Sequence, residues 1–453
     1  PAEGSGFADL EAKVRSFTLP NGLVVIVLER PEAPVFAFRT FVDAGGVDEV
    51  AGITGLAHMF EHMAFKGTES FGSTDPRAEA RALDAVDAAW DAWFAEKQKG
   101  YAADSTRLRD LEAAFKRTED AAKALVVGNE FSKILDENGA VSVNAYTSMD
   151  NTNYFYALPA NRLELWARLE GDRLTQPVMR EYYKERDVVQ EERRFGESSP
   201  RGRLMYNFWL SAFLAHPYGN GLIGHPSDLG AITRRDAEAF FREHYVAKNM
   251  AIAVVGDVRY DEVKRLAERY FSGISDAPEP PPVRTVEPRH EAEIRVVVQE
   301  EAQPAVMIGY HVPSSFAPEW PAVELLGQVV GSGRSSRLYE RLVKRDQTAV
   351  RIGAYAGFPG EKYPNLLMVQ ASLARGASTD SVEAAIYEEL DRLARQGPTE
   401  EELRKVKRQV RAGFIRGLRS NLGLAGQLAT FQELYGDWRL LFRYVDTINA
   451  VTP

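Results

Sequence analysis

Two histidines and a glutamate lie within one short segment whose chemistry suits a metal ion. The segment reads His58-Met59-Phe60-Glu61-His62, and the surrounding pattern predicts a helix over 54–65 that ends before Gly67. Residues four apart on a helix are about 40° apart around its axis, so His58 and His62 share a face, and Glu61 lies about 60° to the other side of His58. Two neutral imidazoles suit Zn²⁺, and a neighbouring carboxylate can accept a proton from water on the metal.

A zinc ion that acts in catalysis usually has three protein ligands, so another element has to supply a carboxylate or an imidazole. A helix predicted over 178–195 carries four candidates, which are Glu181, Glu185, Glu191 and Glu192. Glu181, Glu185 and Glu192 fall on one stripe of that helix. A solvated acidic face would show the same stripe. Periodicity therefore leaves the choice among the four carboxylates open.

The remaining five histidines give weaker signals. His216 and His225 each precede a proline in a loop rich in Pro and Gly, without ligand spacing. This setting favours a loop-structuring role over metal binding. His244, His290 and His311 show no pattern that distinguishes them from scattered surface or core histidines.

The elements that must position these residues alternate between strand and helix patterns. A hairpin is predicted over 15–30 with Asn21-Gly22 as its turn signal, and further strands are predicted near 36–42, 141–158 and 250–255. Helices are predicted near 160–174, 178–195 and 202–214. Residues 75–125 are rich in Ala and charged residues, with apolar residues at helical spacing. They predict an antiparallel helical hairpin inserted between the metal-type helix and the next strands.

A proline-rich stretch at 276–292 predicts a semi-rigid linker. Beyond it the same order of elements returns, with strands near 294–298, 306–312 and 366–373, a helix near 320–330, and long helices after Thr379 and Thr399. We therefore predict an α+β fold of two homologous α/β-sandwich-like domains, at 1–275 and 293–453. The last residues look like a helix start without its helix, so we expect the second domain to be truncated at its end.

Composition excludes several classes of protein. The chain has 453 residues, no cysteine and a net charge of −10. An acidic chain without a basic block is a poor candidate for binding nucleic acid, and the lack of cysteine excludes disulfide scaffolds and Cys-ligated metals. The longest apolar run near the N-terminus, 23–28, is far shorter than the roughly 20 residues that span a membrane. We expect a soluble protein without membrane insertion.

With these features in place, the sequence resembles the pitrilysin/insulysin superfamily of zinc peptidases, in its bacterial and mitochondrial-processing-peptidase-like branch. The resemblance rests on the inverted H-x-x-E-H motif in 55–68, Asn144-Ala145-Tyr146-Thr147-Ser148, 185–192, His216-Pro217-Tyr218-Gly219 and Ser335-Ser336-Arg337-Leu338. It implies one zinc ion per chain, with His58, His62 and Glu192 as ligands and Glu61 as general base. It also implies that Glu185 orients a ligand, that Asn144 and Ala145 lie on a substrate-binding edge strand, and that the duplicated domains form half of a clamshell around a chamber.

One departure from the family concerns an arginine and a tyrosine seven residues apart. In active relatives this pair, in the second half, faces the zinc and holds the substrate carbonyl. The matching positions here are Val343 and Val350. Either the alignment register differs and Arg341, Arg345 or Tyr355 substitutes, or a homologous partner subunit supplies the pair in a heterodimer.

The resemblance predicts a zinc-dependent endopeptidase that hydrolyses peptides or unfolded polypeptides. A non-catalytic scaffold subunit of the same superfamily is the alternative, and a metal-binding module without hydrolysis is a third hypothesis. The intact motif favours the enzyme, because a scaffold does not need both histidines, Glu61 and Glu192. Bacterial relatives are often exported, so we expect a periplasmic location.

Overall fold

The computed structural model describes residues 5–453, which form nine strands and sixteen α-helices. The strands are β1 (Val14–Thr18), β2 (Val24–Glu29), β3 (Val35–Val42), β4 (Val141–Thr147), β5 (Thr152–Pro159), β6 (Met250–Gly256), β7 (Ala305–Val312), β8 (Ala349–Phe358) and β9 (Asn365–Leu373). The helices are α1 (Ser5–Glu11), α2 (Leu56–Met63), α3 (Pro76–Lys97), α4 (Ser105–Lys123), α5 (Glu130–Glu137), α6 (Leu163–Thr175), α7 (Tyr182–Glu197), α8 (Pro200–Ala212), α9 (Pro226–Leu229), α10 (Arg234–His244), α11 (Tyr260–Tyr270), α12 (Trp320–Gly331), α13 (Thr379–Gln396), α14 (Glu400–Gly417), α15 (Asn421–Tyr435) and α16 (Tyr444–Ala450).

The chain divides into two compact units. The N-terminal unit consists of Ala12–Arg193 and Leu222–Val283, and the C-terminal unit contains Arg194–Gly221 and Arg284–Pro453 together with α1. Among the described residues, no helix is both long enough and apolar enough to cross a membrane.

A six-stranded sheet forms the centre of the N-terminal unit, in the order β1-β2-β6-β3-β5-β4. The predicted hairpin forms, because β1 and β2 pair in antiparallel fashion. Every residue of β6 is buried, as its uninterrupted apolar sequence requires for a central strand. β4 ends the sheet, and its pairing partner is β5. One edge of the sheet therefore carries the strand that was predicted to bind substrate.

The inserted segment forms two helices that pack against each other and against α7. Trp90 of α3 is buried, and its ring lies 5.4 Å from Phe115 of α4 and 4.7 Å from Tyr183 of α7. The Tyr183 hydroxyl also donates a hydrogen bond of 3.0 Å to Asp87. The tryptophan therefore serves packing, and α3 supports the helix that carries Glu185 and Glu192.

The C-terminal unit repeats part of the same plan, which confirms the predicted duplication. Its three strands lie in the order β7-β9-β8, all antiparallel, as β3-β5-β4 do in the N-terminal unit. The sequential order also agrees, since β3, α2, β4, β5, α6 and α7 correspond to β7, α12, β8, β9, α13 and α14. The fold is thus α+β with two related units, as predicted.

One strand predicted for the C-terminal unit, at 294–298, was wrong, and one observed strand, β8, was not predicted. The stretch 294–298 has a strand sequence but forms no strand, because it has no ladder partner among the described residues and lines a groove of about 1970 Å³ with β7. Val297 is consequently 73% exposed. In the unpredicted strand β8, the inner residues Ile352 and Ala354 are buried while Val350 is exposed. Arg351 and two glycines, Gly353 and Gly357, interrupt its apolar pattern.

A buried ion pair ties the start of α7 to the insertion and to the segment after α2. Arg180 and Glu79 are almost completely buried and lie 2.7 Å apart, and Arg180 also donates to the carbonyl oxygens of Lys66 and Thr68. We expect Arg180→Met to lower the free energy of unfolding by about 3–5 kcal/mol, because it leaves Glu79 buried and unpaired.

Urea unfolding followed by tryptophan fluorescence measures this effect. The matched control is Arg168→Met, because its ion pair is exposed and loose. The side chain of Arg168 is 63% exposed, and its Nε atom lies 3.9 Å from Oδ2 of Asp172. The control substitution should lower the free energy of unfolding by less than about 1 kcal/mol. Equal losses in the two variants would show that the buried pair has no special role.

Candidate metal centre

Contacts of Gly55 and Glu49 define where α2, the helix that carries the two histidines, begins. Gly55 precedes α2 with φ at 91°, and a Cβ atom there would lie 2.2 Å from the carbonyl oxygen of Ile223. The carboxylate of buried Glu49 accepts hydrogen bonds of 2.7 Å from the backbone N–H groups of Gly55 and Ala57. Burial raises the pKa of Glu49 to about 8 despite these bonds. Glu49 and Gly55 thus set the start of the helix, and with it the direction of the histidines.

His58 and His62 face one carboxylate on α7, that of Glu192. The Nε2 atom of each histidine lies 3.7 Å from Oε2 of Glu192. The imidazoles are mostly buried, with 15% and 19% of the side chain exposed, whereas Glu192 is 44% exposed. These three residues form one of two groups, among the described residues, whose possible ligand atoms all lie within 4.8 Å of one another.

The donor set fits a zinc ion. Two imidazole nitrogens and one carboxylate oxygen from two helices leave a fourth coordination position for water, which is the pattern of catalytic rather than structural zinc sites. Burial, and then the neighbouring charge of His62, lower the pKa of His58 to about 4. A neutral imidazole is the form that binds metal.

Glu185 contacts one of the imidazoles. Its Oε1 atom lies 3.2 Å from Nδ1 of His62, and its other oxygen lies 2.5 Å from Nζ of Lys66. The hydrogen bond to His62 and the contact with Lys66 overcome burial and lower the pKa of Glu185 to about 2. Burial alone would lower the pKa of His62, but the bond from Glu185 and the charges of Glu192 and Glu61 raise it. The Nε2 atom is thereby turned toward Glu192.

Glu61 lies on the same helix and contacts the end of the edge strand. The hydroxyl of Thr147 donates a 2.6 Å hydrogen bond to Oε2 of Glu61. Burial raises the pKa of Glu61, and the hydrogen bond from Thr147 partly opposes that rise. A carboxylate with a raised pKa is a better proton acceptor near neutral pH. Thr147 had no predicted role, although its position two residues after Ala145 places it on the same face of the strand.

The edge strand β4 carries Asn144 and Ala145. Ala145 is buried and Asn144 is exposed, with its side-chain oxygen accepting a 2.9 Å bond from the N–H of Ala145. Ser142, just before them, has φ at 57°, and the pairing register with β5 shifts between Val141 and Asn144. The strand therefore changes direction immediately before the pair.

The other carboxylates of α7 and its start are placed differently. Glu181 binds Lys184 at 2.9 Å, and it precedes α7 with φ at 51°. Neither Glu181 nor Glu191 belongs to the group that contains His58 and His62. The tertiary structure thus favours Glu192, among the four candidates, as the residue that could complete a metal site.

Val343 and Val350, which stand where active relatives have the arginine and the tyrosine, lie in the C-terminal unit. Val343 is in a π-helical segment, Tyr339–Arg345, and packs against the core of that unit, whereas Val350 is 57% exposed on β8. The candidate substitutes have partners of their own. Arg341 contacts Asp346, Glu388 and Glu389, Arg345 contacts Asp346, and the hydroxyl of Tyr355 lies 4.0 Å from the sulfur of Met368.

The histidines outside α2 have varied surroundings. His216 is buried, and its Nδ1 accepts a 3.2 Å bond from the N–H of Tyr218 within its own loop. The backbone N–H of His225 donates to Thr54, and His244 lies at the buried end of α10. His290 and His311, which showed no pattern in the sequence, come together with Glu287. That group joins two distant segments, so sequence spacing could not indicate it.

Comparison with known proteins agrees with the fold. Residues 231–410 match the family model described as Peptidase M16 inactive domain, and residues 24–125 match the model described as Insulinase (Peptidase family M16). The chain therefore belongs to the M16 peptidase family.

Individual relatives carry names of the same kind. A Helicobacter pylori protein named zinc protease PqqE is 27% identical over 427 residues, which cover 92% of this chain and 83% of that protein. A Schizosaccharomyces pombe protein named probable mitochondrial-processing peptidase subunit beta is 23% identical over 429 residues, covering 91% of this chain and 80% of that protein.

Solved structures extend the comparison to three dimensions. A protease from Helicobacter pylori superimposes with a TM-score of 0.79 at 26% identity, over 97% of this chain and 94% of that one. The periplasmic protease PqqL from Escherichia coli superimposes with a TM-score of 0.67 at 19% identity, over 97% of this chain and 45% of that one. This similarity is one of fold. The zinc-protease names and the His58, His62 and Glu192 group together indicate zinc as the metal of this family member.

Proposed function

We propose that this protein is a zinc-dependent endopeptidase that acts on extended peptides. The observation that carries the proposal is the position of Glu61, which lies on the face of α2 that carries the two histidines and beside the edge strand. His58, His62 and Glu192 would hold the ion. A zinc ion bound there would supply Lewis-acid activation of a water molecule and of the scissile carbonyl.

The residues of the chain have distinct tasks in this reaction. Glu61 accepts the proton of the attacking water and later gives it to the leaving amine, and its raised pKa suits both steps. The hydroxyl of Thr147 holds the Glu61 carboxylate in place through the 2.6 Å hydrogen bond. Glu185 fixes the ring of His62 by accepting a hydrogen bond from its Nδ1–H group.

The substrate would bind as an added strand. β4 pairs with β5 on one side and ends the sheet on the other, so the backbone around Asn144 and Ala145 can pair with an extended peptide. Main-chain hydrogen bonds give affinity with little sequence preference. Peptides and unfolded polypeptides are therefore the proposed substrate class, within a chamber that excludes folded proteins.

A partner subunit is the second part of the proposal. The side chains of Val343 and Val350 have no polar hydrogen, so they cannot donate to the oxygen that becomes negative during hydrolysis. Losing such a donor commonly costs on the order of 10²–10³-fold in rate. We propose that a homologous subunit supplies the arginine and the tyrosine, an arrangement that the name of the relative called subunit beta also favours.

A scaffold function is the competing proposal, and the match of 231–410 to a model described as an inactive domain favours it. The two proposals make different predictions for the chain with zinc and an unstructured peptide. The endopeptidase should cleave the peptide slowly alone, lose this activity with a chelator, and gain about 10²–10³-fold from a homologous subunit that has the pair. No cleavage with the subunit present would support the scaffold. Full activity without any partner would refute the heterodimer.

Substitution of Glu185 tests whether it positions a ligand. We expect Glu185→Gln to weaken zinc binding by about 10–100-fold, because an amide does not reproduce the charged bond to His62. Competition with a chromogenic chelator measures the dissociation constant. The matched control is Glu181→Gln, one turn earlier, which should leave that constant unchanged. An unchanged constant in Glu185→Gln would remove Glu185 from the site.

A periplasmic location remains part of the proposal. It rests on the resemblance to exported bacterial relatives, and the structural neighbour from Escherichia coli is described as periplasmic. Fractionation of the native cells with an antibody against the chain would test it, and recovery in the cytoplasmic fraction would refute it.

A further inference from the structure

The second group of possible metal ligands lies in the C-terminal unit and shares no residue with the candidate metal centre. It consists of Glu287, His290 and His311, whose possible ligand atoms all lie within 4.8 Å of one another. Glu287 and His290 belong to the irregular segment before β7, and His311 is on β7 itself. All three line the same groove. We propose that these residues form a second zinc site, which fastens the segment to the sheet.

Glu287 is already fixed in position. Its carboxylate accepts backbone N–H bonds from Leu214, Ala215 and His216, at 2.7, 3.0 and 2.9 Å. Only 6% of its side chain is exposed. Each carboxylate oxygen can accept two bonds. Ala215 and His216 both donate to Oε2, while Leu214 donates to Oε1, so Oε1 keeps one direction for a further partner.

His290 occupies that direction. Its Nε2 atom lies 3.0 Å from Oε1 of Glu287, and 16% of its side chain is exposed. Two ligands of a tetrahedral zinc ion, at about 2.0–2.1 Å from the metal, are about 3.3 Å apart. The spacing between Glu287 and His290 therefore suits shared coordination as well as a direct hydrogen bond.

His311 gives the group its metal-binding character. Its ring lies 4.5 Å from that of His290, at an angle of 67°. It also meets the ring of Phe213 edge-on, at 5.4 Å and 87°. A hydrogen bond between Glu287 and His290 needs no third residue, but a second imidazole beside the same carboxylate completes a ligand set for zinc. Because imidazoles are poor ligands for Mg²⁺ and Ca²⁺, the set selects a transition-metal ion.

The proposed site would have a structural effect. The segment from 283 to 304 forms no helix or strand, and side-chain contacts such as those of Glu287 help to hold it in place. A metal ion bound by Glu287, His290 and His311 would join this segment to β7. Water can fill the remaining coordination position, because His311 is exposed to solvent.

Zinc stoichiometry tests the proposal on the full chain. The wild-type protein is expected to bind two equivalents, and His311→Ala one. The variant His58→Ala/His62→Ala should keep one equivalent, which the further change His311→Ala removes. His311 is exposed, so its replacement should not disturb folding. The matched control is His225→Ala, which belongs to neither group and should keep two equivalents.

A second measurement does not depend on counting ions. In His58→Ala/His62→Ala, zinc should slow trypsin cleavage after Arg284 and Arg289, which flank Glu287. Addition of His311→Ala should abolish this protection. One equivalent in the wild-type protein that is wholly lost in His58→Ala/His62→Ala would overturn the proposal. A lower zinc content in His311→Ala than in the wild-type protein would support the second site even if the candidate metal centre bound no metal.

Discussion

Replacement of Glu61 by glutamine is expected to reduce peptide hydrolysis by about 10²–10⁴-fold while zinc remains bound. Glutamine has nearly the same shape, but it cannot accept a proton from the attacking water. The hydroxyl of Thr147 can still donate to the side-chain oxygen, so the local structure should persist. The measurement compares initial rates on an unstructured peptide with zinc content determined on the same sample.

The control for this variant is Glu191→Gln on α7. It removes a carboxylate outside the group of possible ligands, so it should retain both zinc and activity. Hydrolysis by Glu61→Gln at the wild-type rate would mean that another group acts as the base. Loss of zinc from Glu61→Gln would instead place Glu61 among the ligands.

The second large effect is expected for Glu192→Ala. Removal of one of three ligands should weaken zinc binding by more than the roughly 100-fold typical of residues that only orient a ligand. Because Glu192 is 44% exposed, its loss should leave the unfolding midpoint of the metal-free protein nearly unchanged. Metal content after dialysis against a mild chelator measures the effect, and activity should disappear with the metal.

Glu191→Ala is the matched control, since it changes the neighbouring carboxylate. The loss in Glu192→Ala should amount to one equivalent. Full retention of that equivalent would show the ligand assignment to be wrong, and Glu191 or Glu181 would then be tested next. The experiment is best done with His311→Ala in the background, so that zinc in the C-terminal unit does not obscure the count.

Folding of the chain into two related α+β units was predictable because most elements have clear local patterns. β6 is uniformly apolar, and the Asn21-Gly22 turn joins two antiparallel strands. β8 was not predicted because Arg351 and two glycines interrupt its apolar pattern. The prediction of a strand at 294–298 was wrong for the opposite reason. A strand sequence forms a strand only when a neighbouring strand pairs with it.

The sequence alone determined the part of the site that lies on one helix. His58, Glu61 and His62 share a face because helical periodicity fixes the angles between them. The selection of Glu192 and the contact between Thr147 and Glu61 depend on how α7 and β4 pack against α2, and periodicity holds no information about such packing. The group of Glu287, His290 and His311 depends on tertiary structure even more, because an irregular segment and a strand bring its members together.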